Sequence, residues 1–109
     1  MALVLGAFEQ AVLLAVVRLR DNAYGRRVLG DVRVRLRREV PAGALYTTLD
    51  RLEQRGLISS RLESGDEVRE GRPRRFYSIE KAGIRALNES RAMVDHIWHG
   101  VRRPLKGTS

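Results

Sequence analysis

Asp31 to Pro41 reads DVRVRLRREVP, and the shape of the chain turns on it. Val32-Arg33-Val34-Arg35-Leu36-Arg37 alternates apolar and basic, the two-residue period of a half-buried strand. With YGRRVLG (Tyr24 to Gly30) on its left, the same run reads as the end of a helix. Val28, Val32 and Leu36 then form one stripe with Leu29 beside it, and Arg26, Arg33 and Arg37 share a flank. The strand needs only Val32 to Leu36 and leaves Tyr24 to Asp31 unexplained. Gly30 counts against the helix by about 1 kcal/mol. The helical reading is favoured, and it makes Val34 the one apolar residue off the stripe.

To the left, Leu5 to Leu19 contains few polar residues: Glu9, Gln10 and Arg18. A helix apolar on most of its circumference is buried on more than one side, and in a short chain a partner subunit would supply the second side. Asp21-Asn22 breaks this pattern, with Asn22 a suitable N-cap for the next helix. To the right, Val40-Pro41 is a break, because proline pushes the residue before it toward extended geometry and itself fits the first turn of a helix. That helix reads PAGALYTTLDRLEQRG. Leu45, Leu49 and Leu52 recur at i, i+4 and i+7 and face the core, and Gly56 is the stop signal. The opposite face carries Gly43, Tyr46, Thr47, Asp50, Arg51 and Gln54.

Next, LISSRLE and RRFYSI read as strands on either side of the polar loop SGDEVREGRP. A last helix is expected from about Ile79, with Ile84, Leu87, Val94, Ile97, Trp98 and Val101 on or near one stripe that Arg91 interrupts. The basic tail RRPLKGTS follows and is expected to fray.

The 109 residues make one small fold with a formal charge of +8. Such a domain seeks polyanions, nucleic acid or an acidic membrane surface. Lysine occurs only at Lys81 and Lys106, so arginine carries nearly all the positive charge, and its planar guanidinium makes bidentate contacts with phosphate and guanine. The absence of cysteine excludes disulfides, thiol catalysis and cysteine zinc sites. The apolar start of the chain lacks the basic region and cleavage site of a signal peptide, and its uncharged core, Ala11 to Val17, is too short to span a bilayer, so a cytoplasmic protein without membrane association is expected. No nucleophile, base and oxyanion group converge, which argues against an enzyme, and no cofactor is expected. His96 and His99 share a helix face beside Asp95, but no third ligand stands at useful spacing, so no metal is expected.

The order helix, helix, break, helix, strand, loop, strand, helix matches a helix-turn-helix followed by a two-stranded wing. The fold expected is mainly α with a small β-hairpin: a winged helix-turn-helix over residues 1–79, then a C-terminal helix and basic tail over 80–109, the helix to which the resemblance described next assigns dimerisation. Small residues at Ala42, Gly43 and Ala44 let the amino end of the third helix approach a DNA backbone, where its positive dipole end suits phosphate.

The segments NAYG, GALYTTLDRLEQRGLISSR and EGRPRRFYSIEKAGIRAL resemble the PadR family of bacterial transcriptional regulators, over about Gly6 to Trp98. The string Gly-x-Leu-Tyr-x-x-Leu-x-Arg-Leu-Glu-x-x-Gly-Leu-Ile is quite specific to that family. The resemblance implies a homodimer, usually a repressor on a pseudo-palindromic double-stranded DNA operator. It places the positions of Tyr24, Ala42, Gly43, Tyr46, Thr47 and Arg51 at the DNA, and those of the wing residues Arg72, Arg74 and Arg75 at flanking phosphates or the minor groove. It also implies that the first and last helices form the dimer, as in the compact branch with a single C-terminal helix. Some members bind aromatic ligands between subunits, which makes Trp98 a candidate effector contact beside its plainer role as core or interface filler. Pro41 stands where many relatives carry a capping serine, and Glu80 where a threonine often starts the last helix. The main rival is a nonspecific architectural nucleic-acid-binding protein. An interaction module docking through its first helix and a membrane-surface protein are further alternatives.

Overall fold

The computed structural model describes residues 5–63 and 73–107. Its elements in order are α1 (Ala7–Leu19), a 3-10 turn (Arg20–Asn22), α2 (Gly25–Leu36), α3 (Ala42–Gln54), β1 (Ile58–Glu63), β2 (Arg74–Ile79) and α4 (Lys81–Ile97). The ambiguous arginine-rich run is therefore helical. Val28 and Val32 are fully buried, whereas Val34 is 73% exposed, as a helical stripe requires. The helix that begins near Asn22 does so differently from the sequence expectation. Asn22 lies in the 3-10 turn and Tyr24 is the N-cap residue, with no side-chain cap. Tyr77 draws the chain aside here, its N–H donating to the Ala23 carbonyl at 2.8 Å, so Tyr24 forms a bridge to Phe76 before α2 starts.

The core is the meeting place of α1, α2 and α3. Val12, Leu13, Val32, Leu45, Leu49 and Leu52 are completely buried. Polar links fasten the rim. Glu9 accepts the Gly6 N–H with one carboxylate oxygen and Arg55 with the other, at 3.0 and 2.7 Å, so the start of α1 holds the end of α3. Arg18 grips Asp31 with Nε and Nη2, joining α1 to α2. Arg33 donates twice to the Val40 carbonyl, at 3.1 and 2.9 Å, and so closes the turn between α2 and α3. That bond gives Arg33 an internal task.

Helix α3 stops as its sequence indicates. Gly56 adopts φ +75°, a left-handed conformation that glycine enters without a Cβ clash. The Gly56 N–H then reaches the Glu53 carbonyl and the Leu57 N–H the Leu52 carbonyl, which satisfies the last turn. Strands β1 and β2 pair antiparallel, Ile58 opposite Ile79 through Glu63 opposite Arg74.

Helix α4 begins at Lys81, two residues later than expected, because Ile79 ends β2 and the Glu80 N–H is held by the Leu57 carbonyl at 3.0 Å. It ends at Ile97, so Val101 lies beyond it. Its buried edge is made of Gly83, Ala86 and Ser90. A Cβ placed on Gly83 would sit 2.2 Å from the Leu57 carbonyl oxygen, so only glycine lets α4 approach the backbone just before β1 this closely. Ser90 Oγ accepts the Leu5 N–H at 3.0 Å, tying α4 to the segment before α1. The larger apolar residues Ile84, Val94 and Ile97 remain exposed.

Two glycine substitutions should therefore act in opposite directions. Gly83→Ala forces backbone apart and should cost about 1–3 kcal/mol. Gly30 is exposed inside α2 with open space around it, so Gly30→Ala should stabilise by about 0.5–1 kcal/mol. Equilibrium urea unfolding of both variants measures the signs. Equal losses from the two would contradict the packing described.

Candidate nucleic-acid interface

Three sets of residues form this surface: the outer face of α3, the amino end of α2, and the ribbon. On α3, sealing Leu45, Leu49 and Leu52 in the core turns the other edge out. Ala42, Gly43, Tyr46, Thr47 and Arg51 are all exposed, and no atom lies within 4 Å of where a Gly43 Cβ would be. Thr48, nearer the leucine edge, is half-buried. The α3 amino end has Pro41 as its N-cap residue and no side-chain cap. Its first-turn N–H groups thus face outward beside small side chains.

Tyr46 links α3 to α2. A Cβ on Gly25 would lie 2.5 Å from the Tyr46 hydroxyl oxygen, so the ring rests over the bare Gly25 backbone. One residue earlier, Tyr24 meets Phe76 of β2 edge to face, with ring centroids 5.5 Å apart. The Arg74 guanidinium lies 4.3 Å from the Tyr24 ring centroid and that of Arg27 lies 5.9 Å from it. Arg27 Nε also donates to the Tyr24 hydroxyl at 3.3 Å. Across the ribbon, Arg61 sits over the Phe76 ring at 5.2 Å. The structure thus gathers Tyr24 and Arg74 into one cluster and adds Arg27, Arg61 and Phe76. Phe76 and Arg61 escape sequence reasoning because only the β1–β2 register and the Tyr24–Phe76 bridge bring them to Tyr24, whereas Arg27 stands one helical turn from Tyr24, a local spacing that the sequence carries.

Arg75 follows Arg74 in β2 and points to the other face of the ribbon. Its Nη1 donates to Ser60 Oγ at 2.9 Å, and Ser60 in turn donates to Glu53 of α3 at 2.7 Å. Arg72 lies outside the described residues. Trp98 is half-buried and closes α4, far along the chain from the ribbon. Among the described residues no cluster of three metal-ligating side chains occurs, and Asp95 is engaged by Arg91 at 3.5 Å. No helix of the described residues is long and apolar enough to cross a membrane.

The arrangement is that of a winged helix-turn-helix: α2 and α3 with their short turn, then a two-stranded wing. Comparisons narrow the class. The model of the transcriptional regulator PadR-like family matches residues 13–89, well over half the chain. A PadR family transcriptional regulator from Eggerthella lenta is 30% identical, with a TM-score of 0.64 over 83% of this chain and 76% of its own. A PadR-like regulator from Bacillus cereus is 22% identical and shares the fold, with a TM-score of 0.73 over 94% of this chain and 95% of its own. A PadR family regulator from hypervirulent Clostridium difficile is 24% identical, with a TM-score of 0.66 over 84% of this chain and 91% of its own. No curated protein matches the chain significantly. The chain belongs to the PadR-like family: it is a DNA-binding transcriptional regulator and not an enzyme.

The two described tyrosines that titrate abnormally separate by environment. The Arg27 hydrogen bond, aided by the Arg74 charge, holds the Tyr24 hydroxyl below the usual tyrosine pKa of 10.0 against the opposing effect of burial. Burial pushes Tyr77 above it. On raising pH, Tyr24 should therefore lose its proton first and Tyr77 later. Arg27→Gln should move the Tyr24 midpoint upward and leave Tyr77 alone, measured by NMR of tyrosine ring carbons. An unchanged Tyr24 midpoint in that variant would contradict the hydrogen bond.

Proposed function

We propose that the protein is a homodimeric repressor, acting in the cytoplasm, that reads a pseudo-palindromic operator with α3 and grips the flanking backbone with the ribbon. The observation that carries this reading is the division of α3 into a sealed leucine edge and a bare edge of Tyr46, Thr47 and Arg51. Ala42 and Gly43 bring the amino end of α3 to the backbone. Tyr24, Arg74, Arg75 and Arg72 supply phosphate contacts. Arg75 is the member whose present partner, Ser60, it would have to share. Phosphate contacts give affinity and register; the α3 side chains give sequence. Those side chains are small or hydroxylated, so Arg51 and DNA shape carry much of the discrimination.

Residues 1–79 serve as the DNA-binding unit and 80–109 as the dimerisation unit. Support comes from the exposed apolar residues Ile84, Val94 and Ile97 of α4 with Leu14 and Val17 of α1, which a second subunit would cover. Such pairing sets two α3 helices about 34 Å apart, one turn of DNA. Trp98, at the end of the exposed α4 edge, is the candidate contact for a small aromatic ligand that relieves repression.

Selection of bound sequences from random duplex DNA tests the reading. Enrichment of a two-fold symmetric site with half-sites one turn apart is expected, and Arg51→Gln should lower the enrichment. Equal binding to all sequences would leave the nonspecific architectural reading in its place. Ile97→Glu addresses the dimer. In sedimentation experiments it should shift the protein toward monomer and weaken operator binding at least tenfold, while a monomeric wild type would contradict the dimer outright.

A further inference from the structure

Several arginines of the described residues are held by carboxylates, as Arg18 is by Asp31, Arg55 by Glu9 and Arg61 by Glu63, but Arg74 is held by a ring. Its guanidinium lies over the Tyr24 ring, and the Tyr24 ring is itself propped edge-on by Phe76. Tyr24, Phe76 and Arg61 occupy one row across the bridge and the ribbon: Tyr24 pairs with Phe76, and Phe76 with Arg61. Arg74 is two residues along β2 and so shares the Phe76 face. Among the described residues no carboxylate lies within ion-pair distance of Arg74 or Arg27, whereas Arg61 is paired with Glu63 at 2.8 Å.

Aromatic faces carry negative charge density, so rings tolerate several guanidinium groups close together without neutralising them. A carboxylate would hold an arginine equally well but would cancel its charge. A ring holds it and leaves its N–H fork free. Arg27 adds a second feature. Its Nε–H is given to the Tyr24 oxygen, so the phenolic hydrogen is free to point elsewhere as a donor.

We propose that Tyr24 and Phe76 are positioning residues: their edge-to-face ring pair presets the Arg74 guanidinium so that Arg74, the Tyr24 hydroxyl and Arg27 together clasp one DNA backbone phosphate. The inference rests on the reading of the ribbon as a phosphate-gripping wing, and it adds Phe76 and Arg27 to the residues at work there. The gain is entropic. A free arginine loses rotamer freedom when it meets a phosphate, and a stacked one has already lost it. Tyr24 thus acts in two ways, through its ring on Arg74 and through its hydroxyl on the phosphate.

Phosphate contacts are independent of sequence, so a mixed-sequence 30-base-pair duplex is a sufficient probe. Affinity would be measured by fluorescence anisotropy across a salt series for wild type, Arg74→Gln, Tyr24→Phe, Tyr24→Met, Phe76→Leu and the double variant Tyr24→Met/Arg74→Gln. Arg74→Gln should weaken binding about tenfold and lower the salt slope by about one. Tyr24→Phe keeps the ring, so it should lose only about threefold with the slope retained. Tyr24→Met should approach the Arg74→Gln loss, because the platform is gone, and the double variant should be only slightly weaker than Arg74→Gln alone. Phe76→Leu repeats the test one ring further out, and serves in place of Tyr24→Met should that variant unfold in a thermal melt. Losses that multiply in the double variant, or a Tyr24→Met effect no larger than that of Tyr24→Phe, would overturn the platform while leaving the wing reading intact. Arg74→Gln with unchanged affinity would overturn both.

Discussion

Burial of one edge of α3 governs everything outward from it. Leu45, Leu49 and Leu52 are wholly removed from solvent. Each buried leucine is worth about 1.5–3 kcal/mol, so rotating α3 to expose them would cost several kcal/mol, an appreciable part of the stability of a small domain. With the leucines fixed, the 3.6-residue turn leaves Tyr46, Thr47 and Arg51 no orientation but outward. The exposed edge is thus a consequence of the core, and its residue types are free to answer to a ligand.

The surrounding bonds define where that edge points. Arg33 closes the α2–α3 turn on the Val40 carbonyl, Gly56 ends the helix in a left-handed cap, and Glu9 holds Arg55 at its far end. Single exposed ion pairs add little stability. Their value here is geometric, since α3 is fastened at its entry and exit while its middle is packed. Rigid placement would serve the proposed role of α3 as a groove-reading helix, because base contacts are specific in position.

The framework was legible in the sequence wherever it followed a period or a local signal. Val28 and Val32 revealed α2 despite the alternating arginines, the leucines revealed α3, and Gly56 its end. Features that depend on distant pairing were not legible. Asn22 has the chemistry of a cap, yet the Tyr77–Ala23 hydrogen bond shifts the start of α2 to Tyr24. In α4 the large apolar residues mark a stripe, while the edge packed inside the subunit is Gly83, Ala86 and Ser90, with Gly83 against the Leu57 backbone and Ser90 bonded to Leu5. At the interface, Tyr24 and Arg74 were legible through family resemblance. Phe76 and Arg61 were not, because a ring pair built across the ribbon leaves no spacing pattern in one chain, while Arg27 stands three residues from Tyr24, a local signal that could have found it.

The most direct test of α3 as the DNA-reading helix is side-chain NMR during titration with a short duplex carrying a selected operator. Thr47 and Val34 are both exposed methyl-bearing residues, one on the outer edge of α3 and the other on α2. On the account given, the Thr47 methyl and the Tyr46 ring shift strongly and saturate with the DNA, while Val34 barely moves. Saturable binding that leaves Thr47 and Tyr46 unmoved and shifts residues elsewhere would contradict it.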